Sequence, residues 1–209
     1  MKKTIITALF AAICVAPAFA AGQSISAKSA GIGYEYTSLN TEGADWTMNS
    51  AVIRGNYDFY KFDNGVTVTL TGAAYYGAGS IDFDPFELPD GETVTESVDA
   101  TRYGAKVGLM FNYQATEKLS IYAGPTIGYN VFSYEGKGEN KDADIKDDTG
   151  MTYGVTVGAR YMLSNQKTAI DLGLSFDNYA LPESGGDNGV WDDDRVGSTS
   201  FFVGISQSF

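Results

Sequence analysis

The sequence predicts an all-β fold: an eight-stranded antiparallel up-and-down transmembrane β-barrel with a polar lumen and long extracellular loops. Three observations predict it. Apolar and polar residues alternate with period two from about residue 26 to Phe209, and no helical periodicity intervenes. One parity is bulky and apolar, while the other collects glycine, serine and threonine. The eight alternating segments are joined in turn by long and by short connections.

Before the first strand stands a segment of a different kind. Met1, Lys2 and Lys3 precede an apolar run from Ile5 to Val15, then Pro17 and the small-residue site Ala18-Phe19-Ala20. A basic start, a short apolar core and an A-x-A site predict a secretory signal peptide over residues 1–20 and a barrel domain over residues 21–209. The run is too short to span a bilayer as a helix, which takes ~20 apolar residues. Cys14 is the only cysteine and lies in this segment, without the small-residue surroundings of a lipidation site, so the mature chain is expected to have no disulfide and no thiolate metal site.

The strands follow in order. Residues 26–37 set Ile32, Tyr34 and Tyr36 against Gly31, Gly33 and Glu35; residues 48–60 set Ala51, Ile53, Tyr57 and Phe59 against Arg54 and Asp58. Residues 66–78 carry Val66, Val68, Leu70, Ala74 and Tyr76 opposite Thr67, Thr69 and Thr71. Residues 101–113 alternate Tyr103, Ala105, Val107, Leu109, Phe111 and Tyr113 with Arg102, Gly104, Lys106 and Gly108. In 119–134 the apolar parity runs from Leu119 and Ile121 to Tyr129 and Val131 and includes Pro125, which cannot donate to a ladder and predicts a bulge or kink. Residues 151–163 place Tyr153, Val155, Val157, Ala159 and Tyr161 opposite Gly154, Gly158 and Arg160; residues 168–178 place Ile170, Leu172, Leu174 and Phe176 opposite Asp171, Gly173 and Asp177. The last segment, 197–209, sets Phe201, Val203, Ile205 and Phe209 against Phe202, Gly204, Ser206 and Ser208.

Alternation does not say which face is inside, because a soluble barrel buries its apolar face. Composition decides. A solvated wall collects lysine and glutamate, whereas glycine, serine and threonine suit a narrow, crowded lumen, so the apolar parity faces lipid. Aromatics on that parity fall near strand ends and form two girdles. The ten steps from Tyr103 to Tyr113, at ~3.3 Å each and a tilt of ~45°, project to roughly 23 Å, close to the ~25 Å apolar band of such barrels. Residues 61–65, 114–118 and 164–167 make short periplasmic turns, and residues 38–47, 79–100, 135–150 and 179–196 make long outer loops, which places both termini in the periplasm.

The charges sort by this map. The four long loops hold 20 acidic and 4 basic residues, a net charge of −16. Within the strands, Glu35, Asp58, Asp171 and Asp177 fall on the lumen parity beside Arg54, Arg102, Lys106 and Arg160, four of each sign. An unpaired buried charge is costly, so balance is what a tight lumen demands. The set reads as a salt-bridged plug, since about eight strands leave room only for side chains; the functional alternative is an ion path. Lys28 lies on the lipid parity near the turn end, where it reaches the headgroups.

Several activities find little support. An acidic chain lacks the basic patch that nucleic acid requires. Asp142, Asp144, Asp147 and Asp148, with Asp82, Asp84, Glu87, Asp90, Glu92 and Asp192 to Asp194, offer oxygen ligands for calcium, but their spacing fits no EF-hand, and acidic runs are most often simply solvated. Gly31-Ile32-Gly33 opens no helix and is no nucleotide fingerprint. No cofactor is expected. The chain has no histidine, the base that barrel acyltransferases, proteases and phospholipases use, so no enzyme activity is expected.

Eight strands, long outer loops, a charge-filled lumen and the alternating run ending at Phe209 resemble the small outer-membrane β-barrels of the OmpX/Ail type and the membrane domain of OmpA. The resemblance is architectural and covers the whole mature chain; unlike OmpA, no periplasmic domain follows, so peptidoglycan anchoring is not expected. It implies a bacterial outer-membrane protein, exported through the periplasm, in contact with membrane lipid and lipopolysaccharide. It also implies that Phe201, Val203, Ile205 and Phe209 form an insertion signal for the barrel-assembly machinery. The role implied is structural or one of surface interaction, in adhesion or envelope integrity, with a host or cell-surface ligand held by the loops. Trp46, Phe83, Phe86, Leu88, Leu181, Val190 and Trp191 lie in those loops, as anchors for a ligand or packed back on the loops themselves. The alternative is a narrow porin or diffusion channel for small solutes.

Overall fold

The computed structural model describes residues 22–41, 44–83, 86–87, 93–94, 97–136, 147–180 and 195–209. The signal peptide expected over residues 1–20, and residue 21 where the barrel domain is expected to start, lie outside them. Three long strands come first, β1 (Gly22–Thr41), β2 (Ala44–Phe62) and β3 (Val66–Phe83). A short hairpin of β4 (Phe86–Glu87) and β5 (Thr93–Val94) follows, and then β6 (Ser97–Gln114), β7 (Leu119–Gly136), β8 (Asp148–Met162), β9 (Thr168–Ala180) and β10 (Arg195–Ser208). The eight long strands close into one antiparallel barrel in the order β1-β10-β9-β8-β7-β6-β3-β2. Closure pairs β1 with β10 from Ser29↔Ser208 to Asn40↔Gly197, so the wall has no free edge.

The short turns have local causes. In the β2–β3 turn the Gly65 amide donates to Phe62 O (3.0 Å), and Gly65 has φ +86°, where a side chain is strained. In the β8–β9 turn Asn165 Oδ1 accepts from the amides of Lys167 (3.1 Å) and Thr168 (2.9 Å), an Asx turn that ends β8 and starts β9.

The apolar parity faces outward. Ile32, Ile53, Leu70, Val107, Leu172 and Ile205 are exposed on the wall, between aromatics that include Tyr34, Tyr76, Tyr103 and Tyr129 toward the loop end and Tyr57, Tyr113 and Tyr161 toward the turn end. Some aromatics meet across strands, Tyr36 opposite Phe201 and Tyr76 opposite Tyr103. A continuous apolar belt of this size has no place in water and suits hydrocarbon.

The strands overrun the loops expected from the sequence. β1 and β2 pair as far as Thr41↔Ala44, so the connection expected over 38–47 shrinks to residues 42–43. β3 and β6 pair to Asp82↔Ser97, and β6 and β7 to Val98↔Gly136. Pro125 makes no register shift: it pairs opposite Val155, and the β6–β7 register is the same on both sides of it, with two rungs missing between Gly108↔Thr126 and Phe111↔Ala123. The lost amide donor leaves a gap in one ladder, and of the bulge or kink expected there the bulge is absent. Register shifts lie instead in β2 at Phe59, between Asp58↔Thr69 and Tyr60↔Val68, and in β1 between Ser24↔Tyr60 and Ala27↔Asp58.

Candidate functional site: the lumen and its two ends

The inward parity builds three layers. At the loop end Leu39, Trp46, Met48, Ile81, Phe132 and Tyr179 are buried in one apolar cluster with Ala100, Tyr134 and Val196. The Trp46 and Phe132 rings meet edge to face at 5.1 Å, and Phe132 and Tyr179 at 5.5 Å, geometries that add to the burial itself. Trp46 therefore corrects an expectation: it belongs to β2 and is buried inside the barrel, because the strand continues past the girdle and turns its inward parity onto a closed interior. Asp148 is likewise no loop ligand; it is buried in β8, where Tyr134 OH donates to its Oδ2 (3.0 Å). Of the other acids weighed for calcium, Asp142, Asp144, Asp84, Asp90, Glu92 and Asp192 to Asp194 lie outside the described residues, as do Leu88, Leu181, Val190 and Trp191.

Beneath the cluster comes a layer of ion pairs. Arg102 Nη2 donates to Glu35 Oε1 (2.7 Å) and Ser50 Oγ (2.9 Å), and Nη1 donates to Tyr179 OH (2.9 Å). The guanidinium also lies over the Tyr75 ring at 4.5 Å. Lys106 Nζ donates to Asp177 Oδ2 (2.6 Å), whose other oxygen accepts from Thr126 (3.3 Å). Tyr75 donates to Asn130, and Asn130 to Thr152. Both ion pairs are charge-assisted and tied to further hydrogen bonds, which a buried pair needs to offset its desolvation.

The third layer opens toward the turns. Arg160 Nε donates to Asp171 Oδ1 (2.6 Å), and Ser206 Oγ donates to Oδ2 (2.5 Å). Asp58 accepts from Thr69, whose hydroxyl accepts from Asn112 (2.6 Å). Below them lies a vestibule of about 830 Å³, lined by Asp58, Lys61, Asn112, Lys118, Ser120 and Arg160 among others.

Six of the eight charged residues picked from the sequence thus form three pairs. Arg54 and Asp58 do not pair. Arg54 lies over the Phe202 ring, 3.9 Å from its centroid, and donates to Tyr122 OH (3.4 Å). Phe202 and Tyr122 fill the middle of the lumen because glycines make room for them. A Cβ on Gly204 would sit 2.5 Å from Phe202 Cζ, and one on Gly173 3.0 Å from Tyr122 OH. Tyr75, Tyr122, Asn130 and Tyr179 were missed at the level of sequence; the signal was a tyrosine or asparagine standing on a parity otherwise given to glycine and threonine. Phe201, Val203 and Ile205 lie exposed on the outer face of the last strand, and Phe209 is exposed just past its end, its amide donating to Lys28 O (3.0 Å).

A closed antiparallel barrel with an apolar girdled wall and a polar, filled lumen is a transmembrane barrel of the bacterial outer membrane. The sequence matches the family described as "Outer membrane protein beta-barrel domain" over residues 5–209, and the chain belongs to that family. Solved structures with the same fold include Neisserial surface protein A, with a TM-score of 0.57 at 14% identity, covering 87% of this chain and 97% of that one. Another is Ail of Yersinia pestis in complex with the heparin analogue sucrose octasulfate, with a TM-score of 0.51 at 16% identity, covering 88% and 99%. No curated protein matches by sequence.

Proposed function

We propose that the protein is a non-conducting surface protein, in which the barrel is the anchor and the acidic loops do the work of adhesion or envelope integrity. The observation that supports this reading is the sealed loop end: an apolar cluster with Trp46, Met48, Ile81 and Phe132 almost wholly buried, resting on the Glu35–Arg102 and Lys106–Asp177 pairs. Membrane lipid and lipopolysaccharide surround the wall. The outward row Phe201, Val203, Ile205 and Phe209 is the face read by the assembly machinery.

Charge narrows the ligand. The segments at the loop end carry a net charge of −16, so a sulfated polyanion such as the one in the Ail complex is repelled here, and a basic protein segment is attracted. The vestibule favours the runner-up, a narrow channel, only halfway: it enters the lumen from the turn end, reaches Arg160 and ends short of the Glu35–Arg102 and Lys106–Asp177 pairs. Purified protein in planar bilayers is expected to show no discrete conductance, and steps of uniform size overturn the anchor reading. Cells displaying the protein are expected to capture a polylysine probe, to lose it as salt is raised, and to ignore heparin; capture of heparin instead rejects the charge argument.

A further inference from the structure

We propose that the middle of the lumen holds a single halide-sized anion on Arg54. Six of the lumen charges neutralise one another in pairs, Glu35 with Arg102, Asp177 with Lys106 and Asp171 with Arg160. Arg54 is left over. The remaining carboxylate, Asp58, stands four residues along the same strand, about 13 Å away at ~3.3 Å per residue, and is held by Thr69. The Phe202 ring lies against the guanidinium of Arg54 and Tyr122 OH takes one hydrogen bond. Tyr122 gives its own proton to Leu172 O (3.1 Å). Among the described residues no other protein acceptor meets Arg54.

Arg54 lines a cavity of about 30 Å³. At ~10–15 Å³ per water, that is room for about two waters or one small anion, and too little for a phosphate. Arg54, Lys106, Arg160 and Glu35 line it; the last three keep their own partners, so Arg54 is the cation left unpaired there, and Asn112, Thr71 and Thr156 add polar groups. Arg54 is part-buried, so a guanidinium without a carboxylate partner is desolvated there in part, and a bound anion offsets that cost better than neutral water does. The cavity adjoins the vestibule open at the turn end, since Asn112 and Arg160 line both.

Two measurements test it together. The refolded protein is melted in detergent in sodium chloride, sodium bromide and sodium gluconate at equal ionic strength, as wild type, Arg54→Met and Lys28→Gln. Crystals grown in sodium bromide are examined for anomalous scattering. The halides are expected to raise the melting temperature of wild type and Lys28→Gln by about 3–5 °C over gluconate at tenfold excess over Kd, and to leave Arg54→Met unmoved. A bromine peak is expected within hydrogen-bonding distance of Arg54. Equal melting in all three salts overturns the proposal. So does a halide effect without a peak at Arg54, which places the ion elsewhere. The crystal result decides even if Arg54→Met does not fold.

Discussion

Between the girdles the barrel is polar inside and apolar outside; beyond the loop-end girdle the same strands are apolar inside and polar outside. In β6 the outward residues pass from Val107 and Tyr103 to Asp99, while the inward ones pass from Lys106 and Arg102 to Ala100. In β3 outward Leu70 and Tyr76 give way to Ser80 and Asp82, and inward Thr69 and Thr71 to Ile81. Along these stretches of β3 and β6 the alternation continues, but its sign reverses. What differs is the solvent. In lipid the wall must be apolar, and the narrow interior can be filled by hydrogen-bonded polar groups; in water the wall must be polar, and hydrophobic burial returns to the interior. The molecule is a membrane barrel wearing a soluble crown, and the Glu35–Arg102 pair sits at the junction.

That junction offers the largest effect. Glu35→Ala leaves the Arg102 guanidinium, 1% exposed, without its carboxylate, and is expected to cost about 3–5 kcal/mol in urea unfolding from phospholipid vesicles. Glu35→Met with Arg102→Met removes both charges and is expected to recover most of the loss. A cost for Glu35→Ala below about 1 kcal/mol means that water reaches the pair, and the sealed crown is then wrong.

Next in size is a test of the sign reversal itself. Val107 is exposed on the wall midway between Tyr103 and Phe111, and Val107→Arg is expected to cost about 2–4 kcal/mol, the cost of an arginine near the bilayer midplane. Ser80→Arg is also outward, but in the crown and directly opposite Asp99, and is expected to change stability by no more than about 0.5 kcal/mol. Equal costs at the two sites place both in the same solvent and erase the boundary.

The reversal also explains what the sequence concealed. Strand count, parity and closure were legible because two chemically distinct faces repeat eight times, from Ile32 against Gly33 to Ile205 against Gly204. The crown was not. Once Leu39, Trp46 and Ile81 stand inward, a reader expecting apolar-out sees an apolar residue on the wrong parity and ends the strand at the girdle. The pairing of the charges was not legible either, because Glu35 and Arg102 meet from non-adjacent strands. Asp58 and Arg54 look like partners in a list and are separated by their places along β2.

The smallest effect compares the two faces within the membrane segment. Gly33 faces the lumen, where an added Cβ would lie 2.7 Å from Phe202 Cζ and 2.5 Å from Val203 O. The ring is held by the Arg54 guanidinium, and the carbonyl belongs to the barrel wall, so neither yields cheaply. Gly33→Ala is expected to cost about 1–3 kcal/mol. Gly55 faces outward with nothing within 4 Å of an added Cβ, and Gly55→Ala is expected to stabilise by about 0.5–1 kcal/mol, since glycine within a strand carries an entropic cost that alanine does not. Opposite signs from one substitution, measured in the same urea titration, separate crowding in the lumen from strand propensity. If Gly33→Ala also stabilises, Phe202 does not fill the lumen as described. Adding Phe202→Leu to Gly33→Ala divides the cost: the part due to the ring is relieved, and the part due to the Val203 carbonyl remains.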